Sequence, residues 1–572
     1  MKKAKIILIS ALLVAAVLLS SCAKVSETAE DSTAPSLPAD GQAAVIRIFE
    51  TSDIHGYIMD TSSGEEETFQ YRLAYIANLV NKAKTDGAYD DVLLLDSGDL
   101  YQGLPLSNMT FGAAIRAAMD AMRYDAVSLG NHEFDWSVTS YAADAKATVP
   151  AYEMGDFKGD PDIPVIAATL CSAETHERVS FTRDYVIAEK AGLRIALIGY
   201  IPDYSGDIMT EKIAPYEIRG DLSEFADRVR EINEAEKPDA TIVLAHEMPV
   251  TVAEALDPAD VQLVAGGHVH DGIAGVADSG VAYIQPKEYA KGYACATMVI
   301  GTDGSVRIED PQTVDIRDNP DLLYDSPGNA DNLDSAVLAI SRAAWEAVSD
   351  DMNETLGFID TSVENRGVVS GKTTSGGNWV TGLMLRETAS YGTVAAFYNT
   401  GGIRTSFTVP EGEDRRLITA GDVYSMLPFG NSWLVYEVTG KELARQIADG
   451  YADQSFGDQM SGLTFTYENS GTAEEPEIKI TGITLSDGTA VNVNDETKTY
   501  RVCTSNYNAT VPGSVFENKE PLCPLSDAPV DNLSAIELLR QEAAENSGRI
   551  GVDTSERDIC AAGEAVGLAT QH

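Results

Sequence analysis

The sequence predicts two folded units joined by a helix: an α/β domain with a covered sheet, then a smaller α+β domain. Three observations predict it. From Val45 to about Arg317, short β-branched runs alternate with helical stretches, as when helices connect the strands of a sheet. Prolines, a glycine and several aspartates break that pattern from Pro320 to Gly328. From Met352 onward, strand-like and helix-like segments mix without regular alternation. With 572 residues, 44% of them apolar, the chain is too long for one ordinary domain and rich enough for two cores.

Taken in order, residues 1–22 read as an export signal. Lys2, Lys3 and Lys5 form a basic start, and Ile6 to Leu19 an apolar stretch shorter than the roughly 20 residues that span a bilayer. Leu19-Ser20-Ser21-Cys22 resembles a bacterial lipobox, which would leave Cys22 as a lipidated first residue. Residues 23–44, rich in Ala, Ser, Thr, Pro and Asp, read as a flexible tether. The α/β unit is expected over 45–325, with strands at Val45–Phe49, Val92–Leu95, Ala126–Leu129, Ile195–Ile198, Thr241–Leu244, Val261–Val264 and Val281–Ile284. Helices are expected at Tyr71–Lys84, Gly112–Met122 and Leu222–Ala235. Val337, Ile340, Ala344 and Val348 recur at helical spacing and place a bridging helix over 331–352. The second unit is expected over 353–560, with strand pairs in Leu434–Val438, Leu463–Tyr467 and Ile478–Leu485. Outside the lipobox the cysteines show no CxxC spacing, so thiolate metal sites are not expected; Cys503 and Cys523 are the nearest pair.

Lys and Arg total 41 against 89 Asp and Glu, a formal net charge of −48. That field repels nucleic acid polymers and excludes them as expected partners. It also repels phosphate, so phosphate chemistry here needs concentrated local positive charge, which bound metal ions supply. Of seven histidines, five follow predicted strands directly: His55, His132, His246, His268 and His270. Asp53 precedes His55, Asn131 precedes His132, and Asp99 follows the strand Val92–Leu95. Ligand crevices of α/β sheets lie at the carboxyl ends of strands, so separate loops deliver nitrogen and oxygen donors to one edge. Such hard donors suit two divalent ions about 3.5–4 Å apart, which can generate a hydroxide nucleophile and clamp both oxygens of a phosphoryl displacement.

The series TSDIHG, SGD, GNHEFD, AHE and GGHVH resembles the motifs of the calcineurin-like metallophosphatases. With the segments that follow Met352, the chain resembles the bacterial 5′-nucleotidase and 2′,3′-cyclic-nucleotide phosphodiesterase family, including the UDP-sugar hydrolases. That resemblance implies a four-layer sandwich for the first unit and nucleotide recognition for the second. It implies one divalent ion (Zn, Mn, Co or Mg) held by Asp53, His55, Asp99 and His270. A second would be held by Asn131, His246 and His268, with Asp99 bridging both. His132 would face the phosphate, oriented by Asp135, with Glu133 and Glu247 as supporting carboxylates.

For the substrate, Asn399-Thr400-Gly401-Gly402-Ile403-Arg404 resembles the family's NxGGIR motif, with Arg404 on phosphate oxygens. Leu427-Pro428-Phe429-Gly430-Asn431 and Ser505-Asn506-Tyr507-Asn508 resemble its aromatic segments. Phe429 and Tyr507 would sandwich a base, Asn431 would bond its edge, and Arg366 falls near a phosphate-binding arginine. Two departures bear on substrate: no acid follows Tyr507 in Ala509–Ser514, and Asn378–Gly382 is altered from the family's usual Asn-Leu-x-x-Asp. The expected activity is hydrolysis of nucleoside 5′-monophosphates, extending to 2′,3′-cyclic nucleotides or nucleotide sugars, by an exported monomer touching the membrane only through Cys22. The competing readings are a hydrolase of another small phosphoester or sulfur ester, and a catalytically silent surface lipoprotein.

Overall fold

The computed structural model describes residues 42–566, apart from 62–65, 110–111, 136–162, 205–207, 209–212, 367, 371, 453–456, 473–474, 512, 524–527 and 564. The expected signal and the tether up to residue 41 therefore lie outside the described residues. Among the described residues no helix is long and apolar enough to cross a membrane.

Two six-stranded sheets form the first unit. One runs Val306–Asp315, Gly292–Gly301, Gln42–Thr51, Asp91–Asp96, Ala126–Ser128, Val165–Ile166. The other runs Ile273–Val276, Ala282–Gln285, Leu263–Gly266, Ala240–Ala245, Leu193–Tyr200, Tyr185–Lys190. Period-two alternation explains how they stack. Ile46, Ile48, Leu93 and Leu95 of the first sheet meet Ile195, Leu197, Ile242 and Leu244 of the second in one core. The intervening residues point outward: Phe49, Val92 and Leu94 pack under helices Arg72–Thr85, Ala113–Met122 and Ser335–Met352. Val243 and Ala245 pack under Leu222–Glu236 and Pro249–Glu254. The result is helix, sheet, sheet, helix. Strands covered on both faces need apolar residues at every position, which is why Val92–Leu95 and Thr241–Leu244 read as continuous runs. Each such side chain contributes about 1.5–3 kcal/mol on burial.

In both sheets the strands bearing the histidine and aspartate motifs are mutually parallel. Their carboxyl ends therefore lie on a common edge. The helix Ser335–Met352 is capped by Asp334, whose carboxylate accepts from Ala336 and Val337 N–H. Its apolar face (Val337, Ala344, Val348, Met352) belongs to the first unit's core. Its C-terminal end meets the second unit, where Met352 lies against Gly421.

The second unit holds a sheet ordered Trp433–Thr439, Thr499–Ser505, Ala395–Asn399, Asp458–Ser461 and another ordered Ala490–Val491, Ile478–Leu485, Leu463–Asn469, Asp558–Ala562. Helices Ser375–Glu387, Ala420–Met426, Gly440–Ala452 and Asp531–Glu545 pack around them. Asn378, in the altered segment, is buried and donates to the carbonyls of Asp553 and Ser555. All five cysteines among the described residues are free thiols.

Candidate metal centre

Each loop of the common edge leaves a strand and turns at once. Asp53 and His55 follow Gln42–Thr51, Asp99 follows Asp91–Asp96, Asn131 follows Ala126–Ser128, His246 follows Ala240–Ala245, and His268 and His270 follow Leu263–Gly266. The turns are tight enough that Asp53, His55, Asp99, His268 and His270 all have left-handed backbone, with φ of 51°, 47°, 56°, 74° and 60°. Such non-glycine conformations cost on the order of 1 kcal/mol each and persist only where the surroundings over-determine them. Glycines permit the close packing. A Cβ on Gly130 would sit 2.1 Å from Asp99 Oδ1, and one on Gly267 would sit 2.4 Å from Ser52 Oγ.

The donors gather in two groups: Asp53, His55 and His270, and Asp99, His246 and His268, with one ligand atom from each residue of a group lying within 4.8 Å of the others. Asp99 lies between them. Its Oδ2 is 3.7 Å from His55 Nε2 and 3.1 Å from His246 Nε2. His270 Nε2 is 3.5 Å from Asp53 Oδ1 and 3.3 Å from His55 Nε2. Two atoms here are buried without a hydrogen bond among the described residues, His246 Nε2 and, in addition to the groups above, Asn131 Oδ1. His246 Nε2 is thus near Asp99 without the alignment of a hydrogen bond. Buried polar atoms are rarely left unsatisfied, and these two, converging with carboxylates and imidazoles, fit hard divalent ions.

Burial drives His55 down to about 3 and lowers His268, whereas at His246 burial is outweighed by Asp99, which raises it to about 10; that ring must shed its proton when it binds an ion. Burial opposes ionisation of Asp99, but the charges of His246 and His132 prevail and hold it well below the carboxylate range. Several orienting groups were not legible as such from the sequence. His55 Nδ1 bonds the Gln102 carbonyl at 2.7 Å and His246 Nδ1 the Ser97 carbonyl at 2.8 Å. Ser52 Oγ donates to Asp53 Oδ2 at 2.5 Å. Glu133 accepts the N–H groups of Asp99, Leu100 and Gly130, tying two ligand loops together. No sequence pattern announces a backbone carbonyl as a partner. Glu133 stood in a motif, and its role as a support agrees with its three bonds.

His132 lies beside this centre. Its N–H donates to Asp99 Oδ1 at 2.8 Å, and its Nδ1 is 2.8 Å from Asp135 Oδ2. Burial disfavours its charge, but Asp135 and Asp99 outweigh that and raise it to about 9. The second unit reaches the same spot. Phe429 stacks on His132 with centroids 5.7 Å apart and planes 27° apart, and the Arg404 guanidinium lies 5.7 Å from the centre of the Phe429 ring. Asn108 Nδ2 donates to the Pro428 carbonyl at 2.6 Å, fastening the loop to the first unit. The remaining residues are placed differently. Asn431 is buried and donates to the Tyr398 hydroxyl at 3.3 Å. Tyr507 is half-buried in the helix Asn506–Thr510, and Arg366 is exposed. His176 pairs with Glu217 on the surface.

Two donor groups at the common edge of a two-sheet sandwich are the arrangement of a metallophosphoesterase. Residues 46–272 match the family model of the calcineurin-like phosphoesterases, and residues 355–516 that of the 5′-nucleotidase C-terminal domain. The chain belongs to the metallophosphoesterases that combine these two domains. It is 25% identical over 513 residues to the trifunctional nucleotide phosphoesterase protein YfkN of Bacillus subtilis, covering 84% of this chain but 32% of that protein. The chain thus spans about a third of that relative's length. It is 23% identical over 511 residues to protein UshA of Escherichia coli, covering 81% of this chain and 85% of UshA. Its fold matches the crystal structure of a 5′-nucleotidase precursor from Thermus thermophilus with a TM-score of 0.67 at 22% identity, covering 90% of this chain and 99% of that one. Such family membership implies divalent metal ions as cofactors.

Proposed function

We propose that the protein hydrolyses nucleoside 5′-monophosphates, and by extension 2′,3′-cyclic nucleotides or nucleotide sugars, at two divalent ions. The observation that carries this reading is the juxtaposition of two donor groups around Asp99 with Arg404 and Phe429 of the other domain. Asp53, His55, Asp99 and His270 would hold one ion, and Asp99, Asn131, His246 and His268 the other. When bound, the ions supply a water nucleophile near neutral pH and neutralise charge on the phosphoryl oxygens.

The chain's own groups do the rest. His132, with Asp135 fixing its Nδ1, presents Nε2 as a hydrogen-bond donor to the phosphoryl group or as the acid for the leaving oxygen. A pKa near 9 keeps that proton in place at neutral pH. Arg404, exposed on the recognition domain, offers a forked cation to phosphate oxygens. Phe429 and Tyr507 supply apolar surface for a base. The names of the relatives, a nucleotide phosphoesterase and a 5′-nucleotidase precursor, support a nucleotide substrate. Export also belongs to this proposal, with Cys22 as the lipid anchor, and Cys22→Ala should release the protein from the membrane fraction. The test of the activity is phosphate release across nucleotides, cyclic nucleotides and sugar nucleotides after reconstitution with Mn, Zn, Co or Mg. Nucleoside monophosphates should lead the panel. Turnover of none of the three classes would end the proposal.

A further inference from the structure

The four imidazoles of the metal centre are not held in the same way. His55 and His246 each have the second ring nitrogen fixed by a buried backbone carbonyl, at 2.7 Å and 2.8 Å. Metal-binding histidines nearly always have such a partner, which sets the ring plane. The rings of His268 and His270 make no such bond among the described residues. What touches them is aromatic. Tyr204 lies 5.1 Å from His268, tilted by 45°, and 5.9 Å from His246, edge-on at 72°. Tyr289 lies 5.6 Å from His270 and 5.6 Å from His55, edge-on at 73° and 69°. One tyrosine thus serves each donor group.

Both tyrosines are themselves fixed. Tyr204 is buried, and its hydroxyl donates to the His246 carbonyl. The Tyr289 N–H donates to the Asp53 carbonyl at 2.7 Å, and its own carbonyl accepts from Arg72 at 3.2 Å. Its ring stacks on Tyr57 at 4.6 Å and carries Lys291 Nζ at 4.7 Å. Tyr289 and Ala290 are consecutive left-handed residues, with φ of 63° and 49°. A bulky ring is a costly choice for that conformation, and all these contacts serve to set the ring's place.

We propose that Tyr204 and Tyr289 are positioning residues, whose rings set the planes of His268 and His270, for which the described residues offer no hydrogen bond of the kind that fixes His55 and His246. The inference rests on the two-ion reading above. It predicts that the ring matters at Tyr289 and the hydroxyl does not, and that each tyrosine acts on one ion.

The test is Co2+ titration of the metal-free full chain, following the visible cobalt bands, with stoichiometry from elemental analysis. The wild type should take two equivalents. Tyr289→Phe should match it. Tyr289→Leu should bind one equivalent normally and the other about 10–100-fold more weakly, the usual effect of removing an outer-shell partner, with altered bands for that equivalent and an unchanged metal-free Tm. Tyr204→Leu should weaken the equivalent that Tyr289→Leu leaves normal, by a similar factor. Fewer than two equivalents in the wild type would contradict the two-ion reading and this inference with it. Two equivalents in the wild type, with Tyr289→Leu indistinguishable from it or Tyr289→Phe as impaired as Tyr289→Leu, would overturn the inference alone. A fall in both affinities together with the metal-free Tm would also overturn it, by making Tyr289 a general packing residue.

Discussion

The metal cradle and the recognition loop meet at His132 but are built to opposite specifications. The cradle draws its donors from the ends of strands in two sheets, with left-handed backbone at five of seven positions and buried carbonyls or carboxylates behind them. The loop Leu427–Asn431 reaches the same place from another domain, fastened by Asn108 and by the stack of Phe429 on His132, with Arg404 exposed beside it. On the proposed reading, many contacts fix the groups that do the chemistry, whereas only the few just named place the loop that would recognise substrate. Losses in the cradle should therefore be large and independent of the substrate. Losses in the loop should be smaller and depend on it.

The largest effect is expected for Asp99→Ala, which on the proposed reading would take a bond from both ions. Turnover should fall by about 10³-fold or more, further than for His270→Ala, as measured by kcat in metal-replete buffer. Comparable losses for the two variants would remove the bridging role. Next, His132→Ala should lower kcat by about 10²–10⁴-fold while elemental analysis finds the metal content unchanged. Metal loss would move His132 into the cradle.

On the loop side, Arg404→Ala should cost about 1.5–3 kcal/mol in kcat/KM, as for a hydrogen bond to a charged group. Phe429→Ala should cost about 1 kcal/mol, and here the substrate decides. A loss confined to nucleotides supports base stacking. An equal loss on a small phosphoester without a base would assign the ring to His132, on which it stacks here. The smallest effect concerns stability. Burial raises Asp531, which accepts from the Tyr398 hydroxyl at 2.8 Å, to about 7. A carboxyl raised on folding contributes stability that is full below its unfolded value near 4 and is lost as pH rises through 7. Asp531→Asn should therefore flatten the decline of Tm between about pH 4 and pH 7.

The same contrast governs what was legible in the sequence. The layered α/β unit could be read because doubly covered strands are continuous apolar runs, and in the second unit the strand Ile478–Leu485 has its expected limits. The donor residues could be read because each follows its strand within a few positions. The supports could not: Gln102 and Ser97 act through main-chain carbonyls, which any residue supplies. Tyr204 and Tyr289 come from loops far in sequence from the histidines they touch. In the second unit Phe429 stands in a legible motif, but its neighbour His132 depends on how the domains sit, which local sequence does not encode. Asn431 lies in that same motif yet turns inward to Tyr398.

Anomalous scattering from crystals of the metal-replete protein would locate the two ions themselves. Two peaks are expected about 3.5–4 Å apart, one on each side of Asp99, the first among Asp53, His55 and His270 and the second among Asn131, His246 and His268. A single peak, or none at this edge under metal-replete conditions, would contradict the two-ion reading.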